Sequence, residues 1–282
     1  MVACKIKNNY LTNQYKKCDD SEDKFMIDLN LKEVEKPEFK HLNYTNTASE
    51  QNIGTIIDGI NSRLQILKDW KSQFLKTARK SYSATDLDKG AERIFHHVLS
   101  PNFKFPNSTP IGSDLVYMAH DSIIHIDVKT VSYSNISDFK GKIQIGKNQT
   151  SYKMNEHFQP NLPSKYKTVN RLSVTYAIYI LHKQFENVMA MEVISIPNGL
   201  LHGVYGNDIM QSGKSGWERG NDVRYNFNRE PLFKLLSTDN EKIYRVRLIA
   251  METTELNPKE IISSNYDCSP TFILKNGKIK LP

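Results

Sequence analysis

Gly112-Ser-Asp-Leu-Val-Tyr-Met-Ala-His-Asp-Ser-Ile-Ile-His-Ile-Asp-Val-Lys-Thr130 reads as a β-hairpin. Residues 114–118 and 123–128 are rich in β-branched, aromatic and long apolar side chains, and the turn-like His120-Asp121-Ser122 lies between them. Side chains alternate along a strand, so Ile124, Ile126 and Val128 share one face while His125, Asp127 and Lys129 share the other. One face is apolar throughout. The other sets a carboxylate beside an ammonium.

An acid, any residue, then lysine occurs at Glu22/Lys24, Asp69/Lys71, Asp127/Lys129 and Asp138/Lys140, so the tripeptide by itself says little. Only Asp127 falls on a strand. Glu22 lies in a polar stretch, Asp69 in a helical pattern and Asp138 in a loop. A carboxylate at Asp127 suits a divalent ion, and the Lys129 ammonium reaches a bound phosphate or an attacking water. Mg²⁺ prefers octahedral oxygen coordination and usually takes one or two protein carboxylates. Asp114, at the start of the first strand, supplies a second once the hairpin closes. Gly112-Ser113 before it allows a phosphate close to the backbone. His125 shares this face, either assisting the chemistry or partnering a carboxylate.

Working outward, residues 1–48 read as a polar, charged arm. A long helical pattern follows, with Ile53, Ile56, Ile57, Ile60, Leu64, Leu67, Phe74, Leu75 and Ala78 spaced by about three and four. Lys68, Lys71, Lys76, Arg79 and Lys80 crowd its second half, as a phosphate-facing stripe or a solvated face. A second helix is expected over about 86–99, capped by Thr85, with Leu87, Ala91, Ile94, Phe95 and Val98 as its stripe and Pro101 beyond its end. Strands are expected at 172–181, 188–196 and 243–250, the first two central because both faces are apolar. Asn276-Gly277 suits a type I′ turn in a last hairpin over 274–279. The expected fold is α/β: a central mixed sheet flanked by helices, with a long N-terminal helix and a β-rich C-terminal region. Residues 49–282 then form a single domain, with its core at about 85–196.

The formal charge of +7 across 282 residues leans mildly towards polyanionic partners. Cys4, Cys18 and Cys268 are odd in number and form no CxxC pair, against a disulfide framework or a common zinc site. No apolar run reaches membrane-spanning length and MVACKIKNNY lacks a signal peptide's apolar stretch, so a soluble cytoplasmic protein is expected. P-loop, GxSxG and HExxH motifs are missing, so no nucleotide cofactor is expected. The adjacent His96 and His97 cannot face one ligand together on a helix.

Pro110-Ile-Gly-Ser-Asp114, twelve intervening residues and then Asp127-Val-Lys129 resemble the PD-(D/E)xK nucleases, type II restriction endonucleases in particular. Ser113 rather than proline precedes Asp114, and the resemblance covers only about 90–155. It implies that Asp114 and Asp127 bind one or two Mg²⁺ ions, that the Val128 carbonyl adds to the ligands, and that Lys129 serves the nucleophilic water. It also implies an acid from the preceding helix, and Glu92 matches in type and order. A glutamine-bearing segment usually begins the next helix in this group. Gln144 or Gln149 would contact water or phosphate there, unless the cluster only starts a helix. Residues 198–230 place Lys214, Arg219, Asn221 and Arg224 among glycines. These types read base edges, although a glycine-rich surface excursion also fits. The expected protein is a sequence-specific, Mg²⁺-dependent endonuclease of double-stranded DNA, acting as a homodimer. The alternatives are a repair, junction-resolving or mobile-element nuclease of the same motif, or a non-catalytic DNA-binding protein.

Overall fold

A computed structural model describes residues 31–74, 85–101, 103, 106–107, 114–134, 142–145, 153–154, 160–161, 165–166, 169–183, 186–196, 210–212, 223–226, 244–257 and 269–280. The described helices are α1 (Leu31–Gln51), α2 (Ile53–Phe74) and α3 (Thr85–Leu99). The described strands begin with β1 (Pro106–Asn107), β2 (Leu115–Met118), β3 (Ser122–Ser132), β4 (Lys142–Ile145), β5 (Lys153–Met154), β6 (Pro160–Asn161) and β7 (Lys165–Tyr166). They continue with β8 (Arg171–His182), β9 (Val188–Ile196), β10 (Met210–Ser212), β11 (Val223–Asn226), β12 (Val246–Glu252), β13 (Phe272–Lys275) and β14 (Lys278–Ile279).

The main sheet is mixed, as the sequence leads one to expect, and runs β1-β2-β3-β8-β9-β12-β13-β14 with β7 also paired to β8. The hairpin quoted above is its organising piece. β2 and β3 pair antiparallel from Leu115↔Ile126 to Met118↔Ile123. The Ala119 amide donates to the Ser122 carbonyl at 2.8 Å, closing the turn. β3 then lies parallel to β8 along its whole length, from Ser122↔Leu172 to Ser132↔His182. β8 and β9 are interior strands with almost every residue buried, which explains their lack of polar alternation. In the last hairpin Asn276 and Gly277 both take positive φ, at 51° and 69°, as a type I′ turn requires.

Three helices contribute to one apolar core with the sheet. Ile124, Ile126, Val128, Val174, Tyr176, Ile178 and Ile180 of the sheet meet Ile56, Ile57, Ile60 and Leu64 of α2 and Leu87, Ala91, Phe95 and Val98 of α3. Asn61 of α2 is a polar staple within this packing. Its Nδ2 donates to the Gly277 carbonyl at 2.6 Å. Its Oδ1 accepts from the Val188 amide at 2.8 Å, so one side chain fixes the last hairpin and the start of β9.

Helix α1 corrects the sequence reading. Residues 31–48, assigned above to a polar arm, are helical, while residues 1–30 lie outside the described ones. The helical period is present but carried mainly by polar residues: Glu35, Glu38, Thr45 and Ser49 are buried along with Leu42. Pro37, which removes a backbone donor, further disguises the helix. Burial of these acids depends on Arg245, which is 0% exposed. Its Nη1 donates to Glu38 Oε2 at 2.8 Å and its Nη2 to Glu35 Oε1 at 3.2 Å. The Tyr176 hydroxyl adds a bond to the Glu38 carbonyl at 2.7 Å. Asn52 separates the first two helices: its Nδ2 caps the Ala48 carbonyl, and its own carbonyl accepts the Ile56 amide.

Removing one member of a buried ion cluster strands the others without water. Arg245→Ala is expected to lower unfolding stability by about 3–5 kcal/mol, measured by urea denaturation. A loss below about 1 kcal/mol, the size of an exposed pair, would show that α1 docks by other means.

Candidate active site

The hairpin brings two of the expected acids together. Asp127 lies on β3, on the face opposite the core residues Ile126 and Val128, and is 3% exposed. Asp114 immediately precedes β2, and its Oδ2 accepts the Val128 amide at 2.7 Å. That bond fixes the Asp114 carboxylate at the end of the ladder. Asp114 is also within hydrogen-bonding reach of Asp127. Lys129, two residues further along the same face, donates from Nζ to Asp127 Oδ1 at 2.9 Å, and its side chain stays 35% exposed.

Helix α3 adds the third acid. Glu92 comes within hydrogen-bonding reach of Asp114 and is bridged by Lys89 Nζ at 2.6 Å. One helical turn earlier, Asp88 accepts a hydrogen bond from the Thr130 hydroxyl, next to Lys129. By sequence alone, Asp88 is a short version of the capping-box partner, three residues after Thr85. The signal that would have found it is its spacing of four from Glu92, which puts both acids on one face of α3.

The electrostatics follow from this crowding. Burial, with Asp114 adding to it and Lys129 opposing it, pushes the Asp127 carboxyl up to about 7. Burial also raises Glu92, and Asp114 adds to the effect while Lys89 opposes it. Asp88 is raised by burial against the help of Thr130 and Lys129. For Lys129, burial works downward, but Asp127, Asp114 and Asp88 outweigh it and hold the ammonium protonated. Four carboxyls face two ammoniums, and Asp127, Glu92 and Asp88 each hold a proton more tightly than a free acid does. Such a group is suited to a cation.

The fit to a divalent metal is therefore one of hard oxygen donors with excess negative charge. Among the described residues no group of three or more His, Cys, Asp or Glu is arranged to hold an ion unaided. A divalent ion that takes only one or two protein carboxylates completes its shell with water and phosphate oxygens. His125 takes no part as a charged group: burial lowers it to about 4, leaving it neutral.

The expected DNA contacts divide differently. A second sheet runs β10-β11-β4, antiparallel throughout. Gln144 and Arg224 lie directly opposite each other in it. Residues 142–145 form a strand where a helix start was expected, because Ile143 and Ile145 alternate with Lys142 and Gln144 and impose a period of two. Gln149, Lys214, Arg219 and Asn221 lie outside the described residues. No described helix is long and apolar enough to cross a membrane.

With the geometry in hand, similarity to known proteins is informative. Residues 30–187 match the profile of the type II restriction enzyme MwoI N-terminal domain, and residues 188–251 match that enzyme's central domain. The fold is similar to that of the restriction endonuclease BglI bound to its DNA recognition sequence, with a TM-score of 0.50 and 15% identity over 79% of this chain and 92% of that one. The tetrameric restriction endonuclease SfiI bound to cognate DNA matches with a TM-score of 0.45 and 14% identity over 71% of this chain and 80% of that one. No curated protein matches by sequence. Restriction endonucleases typically depend on a metal ion.

The raised Asp127 has a pH signature in the metal-free protein. Its folded-state affinity for a proton exceeds that of an unfolded aspartate, near 3.9. Stability from this group is therefore full below about pH 4 and is lost as pH rises through about 7. Buried His125 has the opposite sign at acid pH, so the comparison must isolate Asp127. In EDTA, Asp127→Asn is expected to melt several degrees above the wild type at pH 7.5, with the gap closing by pH 4.5. Equal melting temperatures at pH 7.5 would mean that the carboxylate is already compensated without metal.

Proposed function

Because the chain belongs to the MwoI family of type II restriction enzymes, we propose that it hydrolyses phosphodiester bonds of double-stranded DNA at a specific sequence with Mg²⁺. The convergence of Asp114, Asp127 and Lys129 from one hairpin, joined by Glu92 from α3, carries this reading. Asp114 and Asp127 would hold Mg²⁺ with the Val128 carbonyl, and Glu92 would complete the acidic wall. When bound, the ion polarises a phosphoryl oxygen and lowers the pKa of water.

The chain's own groups set the remaining chemistry. Lys129 stays protonated, which makes it a source of positive charge and hydrogen bonds, not a base. Its bond to Asp127 aims the ammonium at the space beside the two aspartates. There it orients the attacking water and offsets charge developing on the phosphorus oxygens. The Val128 amide keeps Asp114 from rotating, so the carboxylates are organised before substrate arrives. Gln144 and Arg224, with Gln149, Lys214, Arg219 and Asn221, are assigned to DNA contacts. Two antiparallel strands are cut most simply by two copies related by a two-fold axis, so the working form is a homodimer, acting in the cytoplasm. Family membership favours restriction over the repair, junction and mobile-element roles.

Plasmid DNA with Mg²⁺ should give discrete bands, and with EDTA none; uncut DNA in both would support the silent DNA-binding reading. Asp114→Ala and Asp127→Ala should abolish cutting while binding in a gel shift persists. Lys129→Ala should slow single-turnover cleavage by about 10²–10³ without loss of metal binding by calorimetry. A folded aspartate variant that cuts at the wild-type rate would overturn the site.

A further inference from the structure

The register of the small sheet aligns residues that lie far apart in sequence. Gln211 of β10 pairs with Arg224 of β11, and Arg224 pairs with Gln144 of β4. Residues directly opposite in a ladder share a face, so the three form one row across the sheet. Two positions along, Asn226 pairs with Lys142 and shares that face. The intervening positions, Ile143, Ile145, Val223, Tyr225, Met210 and Ser212, belong to the other face and are mainly apolar. The three strands contain Lys142 and Arg224 but no Asp or Glu. Within these three strands, one face thus collects glutamine, arginine, lysine and asparagine positions, with no acidic position among them.

Resting on the cleavage proposed above, we infer that this face reads base edges in the DNA major groove, with Arg224 on a guanine and Gln144 and Gln211 on the bases to either side. The dimensions agree. Neighbouring strands are about 4.8 Å apart, so the row spans roughly 10 Å, while base pairs rise about 3.4 Å each. The row covers about three base pairs. A β-ribbon fits the major groove, and an Arg fork matches guanine O6 and N7. Glutamine both donates and accepts, so it suits the mixed edges beside that guanine. Placing the arginine on the middle strand surrounds its base contact with two amides. The charge favours DNA without making the face a uniform electrostatic clamp.

The test sequences the ends cut from a random duplex library, alongside competition binding in Ca²⁺, for wild type, Arg224→Ala, Arg224→Lys, Gln144→Ala and Gln211→Ala. Arg224→Ala should lose roughly 5- to 150-fold discrimination at one guanine position per half-site. Each glutamine variant should relax a position adjacent to it. Arg224→Lys keeps the charge but not the fork, so it should lose most of the same discrimination with an unchanged salt dependence. Thermal melts establish that each variant is folded. A uniform fall across all sequences with a shallower salt slope would make Arg224 a phosphate contact and overturn the inference. So would an unchanged sequence profile in the folded variants. Failure of the wild type to cut any DNA would instead strike the cleavage reading itself.

Discussion

A carboxylate held almost out of water is the constraint around which the site is organised. An ion removed from water loses several kcal/mol of solvation even after the surroundings relax, and Asp127 has lost nearly all of its exposure. Lys129 returns part of that, but Asp114 and Glu92 add negative charge to the same place. The metal-free site therefore raises the proton affinity of Asp127 and Glu92, and a divalent ion is the natural replacement for such protons. Binding readiness and intrinsic instability are here the same physical fact.

Such a site persists only on a rigid scaffold. β3 is paired on both sides, to β2 and along its full length to β8, so Asp127 and Lys129 have little freedom. The turn of the hairpin is anchored separately. Asp121 bonds Lys40 Nζ and His41 Nε2 of α1, each at 2.7 Å. Partial burial would raise the Asp121 carboxyl, yet these two partners hold it down at about 2. Helix α1 is in turn tied to the sheet through Arg245, Glu35 and Glu38. At the far end of β3, Thr130 bonds Asp88 of α3, the helix that delivers Glu92. Strand β3 is thus pinned at its turn by one helix and near its end by another.

The two sheets differ in ways that suit different work. The main sheet is wide and mixed, with interior strands buried on both faces, as positioning of reacting groups requires. The second is small and antiparallel, with a period-two alternation that leaves one face polar. Antiparallel sheets tolerate water on one face.

Features that depend on near neighbours along the chain are legible in the residues themselves. Alternation around Asp127 gave the strand and its faces, Asn276-Gly277 gave the last turn, and the apolar stripes of α2 and α3 gave those helices. The hairpin spacing placed Asp114 near Asp127, because one immediately precedes and the other lies on two consecutive paired strands. Features that depend on partners distant along the chain emerge only on folding. Helix α1 was unreadable because its buried stripe is acidic, and Arg245, which makes that burial tolerable, lies more than two hundred residues away. Asp88 read as an ordinary helix-start acid until β3 brought Thr130 to it. Gln144 read as part of a helix start, and only pairing with Arg224 revealed its row. Local periodicity records which faces are apolar. It does not record a charge whose burial is paid for by a distant partner, nor a row assembled from three separate strands.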